Sequence, residues 1–493
     1  MPAEVAVIGA GLGGLSAAIA LAARGARVRV LEAGPEAGGK AGAACVDGVR
    51  FDTGPSLLTM PDVLDRVLER AGVRTEDVVA LRRLNPAFRY RFADGQTLDI
   101  AETPEETLEN VRGALGPEAA AELRAFLGYA RGIWEASAPP FVYGPAPQPA
   151  TLLRTDVRTL FDLRRIDAMR TMSAAIDKRV TSPHLRAMLS RFATYNGSDP
   201  RRAPATLHCI AWVELGLGGF GVEGGIYRLV EALVDTALRL GVTMQFDTPA
   251  RALGVTGGRV REVVTDEGAF PVDAVVANAD AAHVLEELLP EAKRRKLHGE
   301  PSTSGWNAVI RAQRRPRAGH TVWFDAPYEE EFVDLFDRER VPQTPTIYTC
   351  AQEPAHGVDG WANHEPLFVM VNAPPTSATG EQPEGVEGLR ARVLERLLTL
   401  GAIAPDDEVV WERTPRHLAQ RFPGSRGSIY GLSSNSRWSA FLRPANRSRK
   451  VQGLYFASGS AHPGGGMPLC MLSGLAAADA LAADHALAEG VAA

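Results

Sequence analysis

Gly9, Gly11 and Gly14 form a G-x-G-x-x-G run between an apolar stretch at residues 4–8 (EVAVI) and a helical stretch that ends near Gly25. A second strand-like stretch, residues 27–32, closes on Glu32, about 20 residues beyond the turn. Strand, glycine turn, helix, strand and acidic end are the parts needed to hold a dinucleotide. Gly9 permits the tight turn, Gly11 lets backbone approach a pyrophosphate, and Gly14 lets the helix lie close to the sheet. The helix N-terminus meets the phosphate charge. Glu32 is placed to bond a ribose hydroxyl pair, and its carboxylate would repel a 2′-phosphate, which disfavours NADP. A glycine-rich turn without a ligand would need none of the flanking unit.

The dinucleotide is read as FAD. After Glu32 the chain runs through Gly38-Gly39-Lys40 and then Phe51-Asp52-Thr53-Gly54-Pro55, not into another crossover helix. A glycine pair beside a cation suits backbone that passes close to a pyrophosphate and a flavin; the bland alternative is a surface turn with a solvated lysine. Far along the chain, residues 453–457 read as a strand, Ser458-Gly459-Ser460 as a tight turn, and Met467 onward as a helix. That second unit can aim another positive helix end at a flavin ring.

Taken together, these motifs resemble the carotenoid phytoene-desaturase family, within the wider group that includes amine oxidases. The resemblance runs end to end: VIGAGLGGL (7–15), LEAGPEAGGK (31–40), FDTGPS (51–56), PATL (204–207), GGIYRLVEAL (224–233), AVVANAD (274–280), FLRPANRS (441–448) and GSAHPGGGMPLCMLSG (459–474). The first three are shared by many flavin oxidases. The last two are similar to desaturases of acyclic carotenoids, above all those that introduce 3,4-double bonds into 1-hydroxy or 1-methoxy carotenoids.

The resemblance implies that Gly9, Gly11 and Gly14 hold the pyrophosphate and Glu32 the AMP ribose. Lys40, Gly54, Pro55 and Ser56 would lie along the flavin, beside the cofactor-binding Gly39 of the glycine pair. Backbone near Ala250, at the end of a strand, would meet the adenine. Gly459, Ser460 and Met467 would contact the isoalloxazine or ribityl chain. Many flavin oxidases carry Asp where Ser460 stands, and serine offers only a neutral hydrogen bond.

Desaturation removes two hydrogens from adjacent carbons, and no side chain accepts hydride, so the cofactor must. No catalytic triad or metal is expected. His462 is a candidate flavin-side or cavity residue, or else a hydrogen-bonded turn residue. Arg443 braces the cofactor domain or forms an ordinary salt bridge. Asp199 and Glu214 fall in the substrate insert, and neither is singled out as a base. Rival functions are a carotene isomerase or ketolase on the same fold, and a non-catalytic prenyl-lipid carrier.

The elements that position these residues form an α/β fold: a Rossmann-like FAD-binding domain of the amine oxidase and phytoene desaturase group, with an α+β substrate domain. Residues 1–75, 222–285 and 425–493 are expected to make a discontinuous FAD domain. Residues 76–221 form a helical substrate or lid insert, with helices at 105–111, 118–134 and 164–176. Residues 286–424 supply a sheet and a helix at 386–400. A Pro-rich loop, 138–149, is either a connector or a lid whose Phe141, Val142 and Tyr143 face a membrane.

The 493 residues are 45% hydrophobic and 23% charged, as in a globular chain with a full core. Net charge is −6, which argues against nucleic acid. Cys45, Cys209, Cys350 and Cys470 are widely spaced and read as reduced core thiols of a cytoplasmic protein. Two uncharged stretches, Val5 to Ala23 and Gly453 to Ala478, are glycine-interrupted and are not read as membrane spans. An oily polyene substrate implies peripheral work at a membrane surface through apolar loops, with oxygen or a quinone as electron acceptor.

Overall fold

A computed structural model describes residues 2–147, 165–436 and 443–487. Its first large sheet is parallel and five-stranded, in the order Leu454–Phe456, Ala274–Ala277, Glu4–Ile8, Arg27–Leu31, Thr243–Gln245. Val5 lies opposite both Ala274 and Val28. Covered on both faces, these strands read as apolar runs without alternation, and Val5 to Ile8 are all buried.

Helix Leu12–Ala22 packs on this sheet, and helix Met467–His485 lies against it at backbone distance. A Cβ at Gly13 would stand 2.0 Å from the Ala457 carbonyl oxygen, and one at Gly474 would stand 2.2 Å from that of Gly13. Met467–His485 is long and apolar enough to cross a membrane, yet 61% of its most apolar window is buried inside the protein. Its even hydrophobicity is that of a core helix.

A second sheet has seven strands, in the order Glu408–Arg413, Ser304–Gln313, His364–Ala373, Ile347–Ala351, His320–Phe324, Phe88–Phe92, Thr97–Ile100. The last two correct the expectation that residues 76–221 are helical. In FRYRF (88–92), Phe88 and Tyr90 are buried and Arg91 is exposed, a period of two that marks a half-buried strand. Phe88–Phe92 pairs in parallel with His320–Phe324, so the insert shares the sheet of the later segment.

Helices Pro104–Leu115 and Pro117–Ser137 follow, the first capped by Thr103. The helix expected at 164–176 is interrupted: residue 164 lies outside the described residues, Arg165 is helical, and a helix resumes only at Met172–Asp177. Asp167 adopts a positive φ of 54° and grips Arg170 through both carboxylate oxygens, which breaks the earlier helical run. The helix expected at 386–400 forms as Leu389–Thr399. Ala250 opens strand Ala250–Thr256 and does not end one. All four cysteines are free, but only Cys350 is fully buried and Cys45 is exposed, so they are not all core thiols.

Candidate active site

Two cavities meet inside the molecule. The first, about 520 Å³, opens at the carboxyl ends of the parallel strands, where open α/β sheets bind ligands. Its wall contains Gly9, Gly11, Glu32, Gly39, Lys40, Gly54, Pro55, Ala250, Gly459, Ser460 and Met467. Segments remote in sequence are thus brought onto one surface. Gly14 is not in that wall. A Cβ there would stand 2.1 Å from Gly9 O, so its absence serves packing. Ser56, Arg443 and His462 border the second cavity instead.

The second cavity, about 660 Å³, is mostly apolar. It shares Gly54, Pro55, Phe368, Met370, Tyr430 and Gly465–Gly466–Met467 with the first, so one partition belongs to both. The loop expected at 138–149 begins instead as a π-helical turn, Ala138–Val142, that continues helix Pro117–Ser137; its Phe141 and Val142 are half-buried in the cavity wall, not free at the surface, and residues 148–149 lie outside the described residues.

The first cavity fits FAD. Glu32 is 8% exposed; its Oε2 accepts from Ala10 N and its Oε1 from Gly34 N, each at 2.8 Å. Those bonds fix the carboxylate and use two of its roughly four acceptor sites, which leaves capacity for a ribose diol. The second glycine loop packs on the first: Gly38 N donates to Ala10 O at 2.9 Å, and a Cβ on Gly39 would stand 3.5 Å from Gly11 Cα. Backbone therefore closes over the space where a pyrophosphate would pass.

Lys40 Nζ donates to Ser428 O (2.8 Å) and Ile429 O (3.0 Å), tying loop 428–431 over the cavity. Burial pushes the Lys40 pKa down and that of Asp280 up, while the opposite charge of each partly offsets the other's shift. Ser460 Oγ accepts from Ala281 N at 2.8 Å and lies 2.9 Å from Ser458 Oγ, so it is built into the turn.

Arg443 is a brace and makes no ion pair among the described residues. Its Nη1 donates to Gly459 O (2.9 Å) and Tyr430 O (3.3 Å), and its Nη2 to Leu432 O (2.7 Å) and Asn196 Oδ1 (3.2 Å). Burial lowers its pKa to about 10, which still leaves it charged at neutral pH. His462 Nε2 contacts Gly144 O at 3.0 Å, so this nitrogen carries the proton and pins the Pro-rich loop. Burial pushes the imidazole pKa down, and it is neutral at pH 7.

Sequence reasoning assigned no role to several wall residues. Asn278 and Asp280 follow strand Ala274–Ala277, and Asn278 Oδ1 accepts from Gly14 N at 2.5 Å. Their place at the end of a parallel strand was the available signal. Arg413 lines the first cavity and donates to Thr53 O at 2.8 Å, with its Nε unpaired among the described residues. It comes from the second sheet, and nothing local in sequence ties it to the glycine turn.

The chain matches the family model described as flavin containing amine oxidoreductase over residues 12–482. It is 35% identical to hydroxyneurosporene desaturase of Rhodobacter capsulatus, with 98% of each chain covered. It is 32% identical to 4,4'-diapolycopene oxygenase of a Methylomonas species (98% of each) and 31% identical to carotenoid 3,4-desaturase of Haloarcula japonica (98% of this chain, 99% of that one). Among solved structures it superposes on an oxidoreductase from Methanosarcina mazei (TM-score 0.64, 16% identity, 96% and 99% covered). It also superposes on cyclohexylamine oxidase from Brevibacterium oxydans (TM-score 0.62, 14% identity, 99% and 100% covered). The protein belongs to the flavin-containing amine oxidoreductase family. It is an oxidoreductase whose cofactor is FAD.

Glu32→Ala is expected to weaken FAD binding by about 1.5–3 kcal/mol, because two buried N–H groups and the ribose all lose a charged acceptor. Flavin fluorescence titration of the refilled apoprotein measures this. An unchanged Kd would remove Glu32 from the site.

Proposed function

We propose that this enzyme desaturates an acyclic carotenoid, with 3,4-desaturation of a 1-hydroxy or 1-methoxy carotenoid as the specific reaction. The observation that carries this reading is the partition at Gly54, Pro55, Tyr430 and Gly465–Met467, where an oily cavity abuts the one that fits FAD. Two of the relatives above are named for desaturation of carotenoids, which supports the substrate class.

Bound FAD supplies the hydride acceptor. The chain's own part is to hold the polyene against the partition and keep water away, so that one C–H bond is oriented for transfer. The second hydrogen leaves the adjacent carbon as a proton, which restores neutrality with a new double bond. A polyene cation is acidic enough for a weak base to take that proton, so no strong base is required. Electrons then pass to oxygen or a quinone. Half-buried Phe141 and Val142 in the cavity wall suit loading from a lipid surface, with the enzyme peripheral and cytoplasmic.

A second reading is oxygenation of the polyene end, favoured by likeness to the Methylomonas oxygenase. Purified holoenzyme mixed with acyclic carotenoids in liposomes separates the two. Desaturation lowers product mass by two hydrogens per double bond, and oxygenation raises it. Unchanged mass with altered geometry would mean isomerisation. Failure to sediment with the carotenoid liposomes would count against membrane loading.

A further inference from the structure

One side of the oily cavity carries a charge that hydride removal does not require. Arg191 lines the cavity with its side chain 10% exposed. Its Nη1 donates to Tyr90 Oη at 3.0 Å, and its guanidinium makes no other hydrogen bond among the described residues. Glu214, 2% exposed, approaches Nη1 to 4.0 Å. One Glu214 oxygen accepts a short hydrogen bond from the Tyr195 hydroxyl, and the other has no hydrogen-bond partner among the described residues. The rings of Phe88 and Tyr195 lie 5.0 Å from the guanidinium. Burying this group is costly, and a wall meant only to hold hydrocarbon would be served by leucine.

We infer that Arg191 and Tyr195 form a subsite for an oxygen at the end of the polyene, with a hydroxyl preferred to an ether and an ether to plain hydrocarbon. The inference rests on the polyene reading of the cavity. The remaining guanidinium N–H groups donate to the oxygen of either an alcohol or an ether. Tyr195, its proton committed to Glu214, offers a lone pair that only an alcohol's proton can use. A hydrocarbon end leaves every one of these groups unpaired, which is how a polar subsite rejects an apolar analogue. The subsite thereby fixes which end of the substrate enters first, and so which carbons reach the partition.

The test uses holoenzyme and three probes: an acyclic C40 polyene with a tertiary 1-hydroxyl, its 1-methoxy counterpart, and the parent hydrocarbon. Perturbation of the flavin absorption band gives Kd, and product mass gives kcat/KM. The parent enzyme is expected to bind the alcohol at least about tenfold more tightly than the hydrocarbon. Arg191→Met combined with Glu214→Gln, which strands no charge, should bring the ether-to-hydrocarbon ratio to about one and cut the alcohol-to-hydrocarbon ratio to what Tyr195 alone supports. Tyr195→Phe should erase only the preference for alcohol over ether.

A parent ratio of one, or an ether-over-hydrocarbon preference that survives the double change, overturns the subsite. If the double variant loses its flavin, the alcohol-to-ether ratio of Tyr195→Phe decides. Selective binding without loss of two hydrogens would instead leave the subsite standing and refute desaturation.

Discussion

A Gly13→Val protein is expected to accumulate without flavin and to lose at least about 3 kcal/mol of stability. The first Cβ would stand 2.0 Å from Ala457 O and 2.9 Å from Cys470 O. Both obstacles are backbone atoms, so no rotamer change relieves the overlap, and the strand or a helix must retreat. Cys470 lines the cofactor cavity and Ala457 leads into Ser458, so retreat opens the site itself. The ratio of flavin to protein absorbance and thermal unfolding read the effect. Gly128→Ala, in helix Pro117–Ser137 with nothing within 4 Å of its Cβ, is the control. It should be neutral or stabilising by about 1 kcal/mol. Full flavin content in Gly13→Val would show that close apposition of the two chain ends is not needed.

Arg443→Met should be nearly as damaging, with about 3 kcal/mol or more lost. Arg443 donates to three backbone carbonyls, of Tyr430, Leu432 and Gly459, and to Asn196 Oδ1. Methionine fills the stem's volume but leaves these acceptors without charged donors in a buried place. Tyr430 and Gly459 both border the cofactor cavity, so looser flavin is expected along with a lower melting temperature. Arg443→Lys, a point charge without the planar fork, should recover only part of the loss. A methionine variant with unchanged melting and flavin release would reduce Arg443 to filler.

The glycine turn, Glu32 and the second unit around Gly459 were legible because their constraints are local. A tight turn, a close approach and a helix end each write themselves into adjacent residues. Arg413, Arg191 and Tyr430 were not assigned, because each is held in place by a partner far along the chain, 360 positions away for Arg413, 101 for Arg191 and 128 for Tyr430. Ser56 shows the limit of motif transfer: its neighbours Gly54 and Pro55 border both cavities, whereas it faces only the oily one. The strand at Phe88–Phe92 was legible by its alternation, but arginines at every second place masked it within a region otherwise rich in helix. Asp167 broke a helix that periodicity supported, through a side-chain grip on Arg170 that no hydrophobic pattern records.

The order of strands in the parallel sheet also sets a timetable. As the ribosome delivers the chain, Glu4–Ile8 can pair at first only with Arg27–Leu31; Ala274–Ala277 comes much later, and Leu454–Phe456 later still. Distant parallel pairing is slow and leaves oily surface waiting in the meantime. Flavin capture therefore belongs to the nearly finished polypeptide: a nascent chain stalled before residue 454 has no complete pocket to fill, however early its glycine turn emerges.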